Sequence, residues 1–350
     1  MIKQIFSILF GIIIMSCSFG LDIWLTVDPS QEAQVKQHVT HFFPQATIRV
    51  FYWDTALPKI TKLIKKKKYP DILLTGHTFV PFIAQYTSSF SRVDPLFWDT
   101  RALYVWGKGT QLPINDWSNT LYYMQTHQQF IAFPNEWTPD SFYNFQSFFN
   151  DQLPFWISQT PLSPQSMAFT AKLLITLKTV YPDLFTDKPV DAFLRKDNFA
   201  IISGVWMYNL LKQQKDDFSV FPVPESQNGS REFKGAYVAI CFGDKIQQKS
   251  ARQILNSYKF QKDLWPILQL LPNNEQLQNE IAKDPQIATL LQITKSTKWA
   301  STAEPKILQD RMKVLNMVLS NKKMAKNFNE QKVLRLFANK LYVMWSKWFN

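Results

Sequence analysis

From Leu21 to Gln85 the chain alternates short apolar runs with helix-length amphipathic ones, and this rhythm restricts the fold more than any other feature. Leu21 to Val27 (LDIWLTV) reads as a strand closing at Asp28-Pro29-Ser30. Ser30 to Phe43 spaces its apolar residues for one buried helical face. Ala46 to Trp53 (ATIRVFYW) reads as a second strand and Leu57 to Ile64 as a second helix. PDILLTGHT then supplies a third strand at Ile72, Leu73 and Leu74, bounded by Pro70 and Asp71. It ends in the turn Thr75-Gly76-His77-Thr78, where the glycine is expected to provide permissive backbone before an apolar helix. Strands separated by helices imply a parallel sheet with crossover connections. In such open sheets, ligands bind off the carboxyl ends of the strands, where helix N–H groups lie unpaired.

At 350 residues the chain exceeds what a single hydrophobic core organises, so two domains are expected. Hydrophobic residues make up 46% and charged residues 19%, a globular balance rather than a disordered one. The 29 Phe, 12 Tyr and 12 Trp more than fill a core and leave aromatics for a surface or cleft. Further strands are expected at Ala102–Trp106, at Phe218–Pro224 and at Lys234–Phe242, and Asn198–Tyr208 reads as a strand, a glycine turn and an aromatic pair. Leu112 to Leu121 reads as a loop entering a helix with Trp117 near its start, and further helices are expected from Pro139 to Asp151, Ser166 to Val180, Ala251 to Lys259 and Ala282 to Leu291.

The first twenty residues have the form of an export signal: Lys3 as a short basic region, then an apolar stretch from Ile5 to Met15. That stretch is too short to span a membrane, and no later run is long enough. Two ends are open. Ser18-Phe19-Gly20 suits ordinary cleavage before Leu21, whereas Ile14-Met15-Ser16-Cys17 resembles a bacterial lipobox with Cys17 acylated. In either case Cys241 has no partner for an intrachain disulfide.

The net charge of +12 admits nucleic acid, an anionic membrane or an anionic ligand. Aromatic-and-basic nucleic-acid motifs are absent, and the export signal argues against that class. The densest basic run, Lys65 to Lys68, closes a helix, where lysines complement the helix dipole. Catalytic signatures are also missing: there is no HExxH, GxSxG, CxxC or Walker spacing. His38 and His41 stand one helical turn apart, but without a third ligand they read as surface histidines. No cofactor or metal is implied.

Several of these segments, in order, resemble family 1 extracellular solute-binding proteins, the maltose-binding-protein-like receptors of ABC importers. PDILL corresponds to the family's cleft-lining PDI strand, and the Trp117 segment to its first crossover. NFAIISGVWMY resembles its G-x-A-M-x-x-x-G-x-W signature, FSVFPVP the strand that follows, and AKDPQIATLL a later helix. The resemblance implies an α/β, two-lobed periplasmic-binding-protein fold (type II, Venus-flytrap), each lobe a mixed sheet flanked by helices. Residues 1–20 would be the signal peptide. Residues 21–94 with 236–294 would form the N-terminal lobe, and 95–235 with 295–350 the C-terminal lobe.

The implied function is capture of a small solute, a carbohydrate above all, in an interlobe cleft for ABC permease subunits. Capture makes and breaks no bond, so no catalytic residue would be needed, and a lipid anchor would hold the protein at a membrane surface. Trp206 and Phe155 stand where maltodextrin receptors stack aromatics on sugar rings. Asp28, Trp53 and Asp54 at strand ends, with Thr75, His77 and Thr78 in the third turn, complete the expected rim. Asp310 falls where another stacking aromatic would stand, with Trp299 close enough in sequence to replace it. The turn lacks the family's charged sugar contacts, having Thr75, Thr78 and Phe79 instead. Three alternatives remain open: a polyamine receptor, a phosphate-ester receptor, and an envelope lipoprotein that kept the fold but lost transport.

Overall fold

The computed structural model describes residues 20–88, 90–107, 115–149, 164–225, 232–243, 246–299 and 305–320. The signal segment with Cys17, and Phe155, lie outside them. The chain divides into two compact units: Met1–Thr100 with Gly235–Thr294, and Arg101–Lys234 with Lys295–Asn350.

In the first unit, strand β1 (Asp22–Val27) pairs in parallel with β2 (Thr47–Tyr52) on one side and β3 (Ile72–Gly76) on the other. Helix α1 (Glu32–Phe42) connects β1 to β2, and α2 (Trp53–Lys65) connects β2 to β3. The sheet continues from β3 to antiparallel β10 (Glu232–Phe242), then β4 (Phe90–Thr100) and β11 (Leu271–Pro272). β1 to β3 form the parallel sheet with crossover helices that the alternating pattern predicts, and the antiparallel strands make the whole sheet mixed, as the family resemblance implies. β1 is mostly apolar and buried from Ile23 to Val27 because it is internal and covered on both faces. β2 lies at the edge, and its residues alternate in exposure until Phe51.

Two apolar layers sandwich this sheet. Ile23, Leu25, Ile72, Leu74 and Tyr237 face α1 and the helix Tyr258–Leu268. Trp24, Leu73, Val238 and Ile240 face α2, whose Ala56, Leu57, Ile60 and Ile64 form its buried stripe.

Four sequence expectations shift. α2 starts at Trp53 rather than Leu57, so Pro58 sits inside it and forfeits one ladder bond. The expected lobe boundary after Asp94 falls inside β4. That strand remains in the first unit as far as Thr100, because Phe97 and Trp98 pair with Pro272 and Leu271. The helix expected over Ala251–Lys259 is two, Ile246–Leu255 and Tyr258–Leu268. Ser257 breaks them by capping the second, its side chain accepting from the Phe260 N–H at 3.3 Å. The helix expected over Pro139–Asp151 likewise splits, into Pro139–Asn144 and Gln146–Phe149.

The second unit holds a three-stranded antiparallel sheet, with β5 (Ala102–Trp106) between β8 (Ala200–Ser203) and β9 (Phe218–Phe221), and a short parallel pair, β6 (Phe133–Pro134) with β7 (Phe185–Thr186). Much of the aromatic content is spent here. Trp117, Phe133, Trp137, Phe142, Phe145, Phe148 and Phe149 pack in one cluster, joined by the helices Pro164–Val180 and Pro305–Ser320. Among the described residues, no helix is long and apolar enough to cross a membrane.

Candidate functional site

The parallel registers bring the carboxyl ends of three strands together in the first unit. Val27 lies opposite Tyr52, and Leu25 opposite Leu74, so the residues leaving β1, β2 and β3 emerge side by side. Asp28 and Asp54 are both exposed at this end, and Asp54 occupies the first turn of α2, where a carboxylate is favoured by the helix dipole.

Trp53 dominates the cluster. Half-buried, it meets Phe79 edge-on at 5.8 Å between centroids and Tyr237 at 6.2 Å. A Cβ on Gly76 would lie 3.1 Å from Trp53 Cζ3. Gly76 has φ −70° and ψ 141°, ordinary extended backbone open to any residue. The glycine is therefore needed for the space that the indole fills, not for conformational freedom, which corrects the sequence reading. The strand runs through it, and the turn is a single 3-10 stretch, His77–Phe79, leading into the short helix Val80–Ala84.

The turn residues divide by role. Thr75 lies wholly inside the unit, beside Val238 of β10. Thr78 is half-buried. The Nδ1 of His77 accepts the Ala236 N–H at 3.1 Å, which fixes the proton of the neutral ring on Nε2. The ring also packs where a Cβ on Gly235 would lie, 3.3 Å from Cε1, so this histidine fastens β10 to the turn. Tyr237, two residues on, donates its hydroxyl to the Thr26 carbonyl at 3.0 Å, and burial pushes its phenol pKa up.

The remaining expected site residues belong to the second unit. Trp206 opens the helix Trp206–Gln213 and is 37% exposed, while Met207, Tyr208 and Leu211 take the core side. Its ring is therefore not spent on core packing. Gly204, just before it, accepts the Tyr104 hydroxyl at 3.0 Å. Asp310 stands on the helix Pro305–Ser320, 3.8 Å from Lys313. Trp299 lies on the short strand Lys298–Trp299, its backbone paired with Lys234 of β10. Lys234 is itself half-buried, and desolvation holds its ammonium below the usual lysine range.

Sequence reasoning missed Gly235, Ala236 and Tyr237 as partners of the turn. The pairing joins residues about 160 positions apart, and no local pattern encodes such a distance. His38, read as a surface residue, is half-buried, and its Nε2 lies 3.0 Å from the Phe260 carbonyl.

No protein-family model matches the sequence, and no curated protein matches it either. Solved structures do match. The cyclic α-maltosyl-1,6-maltose binding protein of Arthrobacter globiformis superposes with a TM-score of 0.65 at 11% identity, covering 92% of this chain and 97% of its own. The GacH receptor of Streptomyces glaucescens GLA.O, solved unliganded and with acarbose, gives 0.64 at 12% identity, covering 93% and 97%. This chain has their fold. The maltose-maltodextrin binding protein of Alicyclobacillus acidocaldarius agrees, with 0.62 at 14% identity over 92% of this chain and all of its own. The two-lobed binding-protein fold expected from the ordered motifs is thus present along nearly the whole length.

Proposed function

We propose that this chain is an extracytoplasmic receptor that captures a small carbohydrate and delivers it to the membrane subunits of an ABC importer. The observation that carries the reading is the likeness in fold to three sugar receptors over 92–93% of the chain. The strand-end cluster of the first unit supports it. A sugar ring offers an apolar C–H face and a rim of hydroxyls. Trp53, held edge-on by Phe79 and Tyr237, would take the face, and the exposed carboxylates of Asp28 and Asp54 would accept hydroxyls. Trp206 would be the second unit's stacking ring. Binding without bond-making asks for no catalytic group.

The export signal and the lipobox-like Cys17 support a place in the cell envelope, with acylation at Cys17 as the anchor. Calorimetric titration of the purified protein with maltose, longer malto-oligosaccharides, acarbose and other sugars tests the reading. Saturable heat and a raised melting temperature are expected with at least one, and Trp53→Ala and Trp206→Ala should each weaken it about tenfold or more. Silence across the sugars would overturn it.

A second reading, a polyamine receptor, is favoured by one observation: two carboxylates, Asp28 and Asp54, stand exposed at the ends of neighbouring strands. Spermidine and putrescine belong in the same panel, and Asp54→Asn would abolish their binding while sparing a sugar's stacking contacts.

A further inference from the structure

We propose that the amino-terminal edge of the first unit's sheet docks on an anionic phospholipid surface. Lys59, Lys62, Lys65, Lys66, Lys67 and Lys68 occupy the last turns of α2 and the turn that follows, and all six are exposed. Their spacing on the helix places them away from its buried stripe of Ala56, Leu57, Ile60 and Ile64. Among the described residues none of the six forms an ion pair with a carboxylate, and Lys65 lies 4.2 Å over the Tyr86 ring. Lysines in the second unit behave differently: Lys188 and Lys196 pair with Asp191 and Asp216. A helix carboxyl end carries about half a negative charge, which one or two lysines offset. Six leave a strongly positive, self-repelling surface whose neutralising partner lies outside the chain.

Exposed apolar groups share this edge. Tyr86 is 40% exposed beside Lys65, and Ile246, at 77%, opens the helix that follows β10. β10 runs antiparallel to β3, so its carboxyl end meets the amino end of β3, with Cys241 opposite Ile72. Gln248, two residues after Ile246, donates to the Asp71 carbonyl at 3.0 Å. β1 begins at the same edge: the Asp22 N–H donates to Asp71 Oδ2 at 2.9 Å, three residues after Lys68. Ammonium groups on the same edge as an exposed tyrosine and isoleucine match a bilayer interface, where phosphates meet the charges and the apolar groups sit at headgroup depth. A nucleic acid or an acidic protein would use the lysines and leave Ile246 idle. The strand-end cluster lies at the other end of α2, about 20 Å away along thirteen residues, and stays clear of the bilayer.

The inference rests on the envelope location proposed above but not on any solute, so vesicle binding and solute titration fail independently. The test is cosedimentation of the exported chain, carrying Cys17→Ser, with vesicles of phosphatidylcholine alone or with about 30 mol % phosphatidylglycerol. Binding is expected only to the anionic vesicles, and it should disappear at about 0.5 M salt. The variant K65Q/K66Q/K67Q/K68Q should bind about tenfold less or worse, and I246Q severalfold less, with unchanged melting temperatures. A charge-matched control, K172Q/K215Q/K283Q/K295Q, changes exposed lysines elsewhere and should retain binding. No anionic-dependent binding, an equal loss in both quadruple variants, or an unaffected I246Q would overturn the proposal.

Discussion

The indole of Trp53 fills the space that a side chain on Gly76 would need, with Cζ3 3.1 Å from that Cβ position. Trp53 directly follows the last residue of β2 and Gly76 ends β3, so the contact couples two strand ends across β1. Gly76→Ala keeps the same backbone but must displace the ring. It should cost about 1–2 kcal/mol of stability and weaken solute binding. In a double-mutant cycle with Trp53→Ala, the two losses should be strongly non-additive, as read from urea midpoints. Additive losses would mean that the ring is not what excludes the methyl group.

His77 should matter for stability more than for solute contact. Replacing it with Ala strips the acceptor from the Ala236 N–H and empties the space beside Gly235. A loss of about 1–3 kcal/mol is expected, together with faster hydrogen exchange at Ala236. Unchanged exchange there would remove the histidine from its fastening role.

The burial of His38 predicts a pH dependence. Desolvation is the largest influence and holds its pKa below the ordinary histidine value, against the opposing pull of the Phe260 carbonyl. As pH falls through about 6.5, the unfolded chain takes up a proton that the folded chain resists, so stability falls. Above that pH the effect vanishes. Melting temperatures measured from about pH 7.5 to 5.5 should decline, and His38→Gln should flatten the decline. An identical slope in the variant would assign it to other groups.

Five helices end in a left-handed residue that is not glycine: Lys67, Gln128, Lys196, Lys215 and Gln269. With only 9 Gly in the chain, lysine and glutamine carry these positions at some steric cost. Gln269, at φ 57°, directs its N–H to the Trp265 carbonyl, and Gln269→Gly preserves that bond. A gain of about 0.5–1 kcal/mol in chemical denaturation is expected. A loss would show that the glutamine side chain supports the cap.

Local rules carried far in this chain. The apolar run of β1, the alternation in β2 and the stripe of α2 are properties of neighbouring residues, so periodicity located them. Boundaries moved where a local signal met a tertiary one. The second helix is expected from Leu57, yet packing of Ala56 and Leu57 on the sheet holds the turn before it. Asp94-Pro95 looked like a break, yet pairing with β11 carries the strand on to Thr100.

By itself the sequence determined the parallel βαβ start, the division of labour between apolar strands and helices, and the ordered motifs that pointed to a two-lobed receptor. These follow from side-chain patterns repeating over a few residues. Only the tertiary structure decided that Gly76 serves the Trp53 ring, that His77 is engaged by a strand about 160 residues away, and that Trp206 is left outside its helix's core face. It also placed Ile246 on the same edge as the lysines of α2. Each depends on which strands become neighbours. That is set by the burial of the whole sheet, and no short window of sequence contains it.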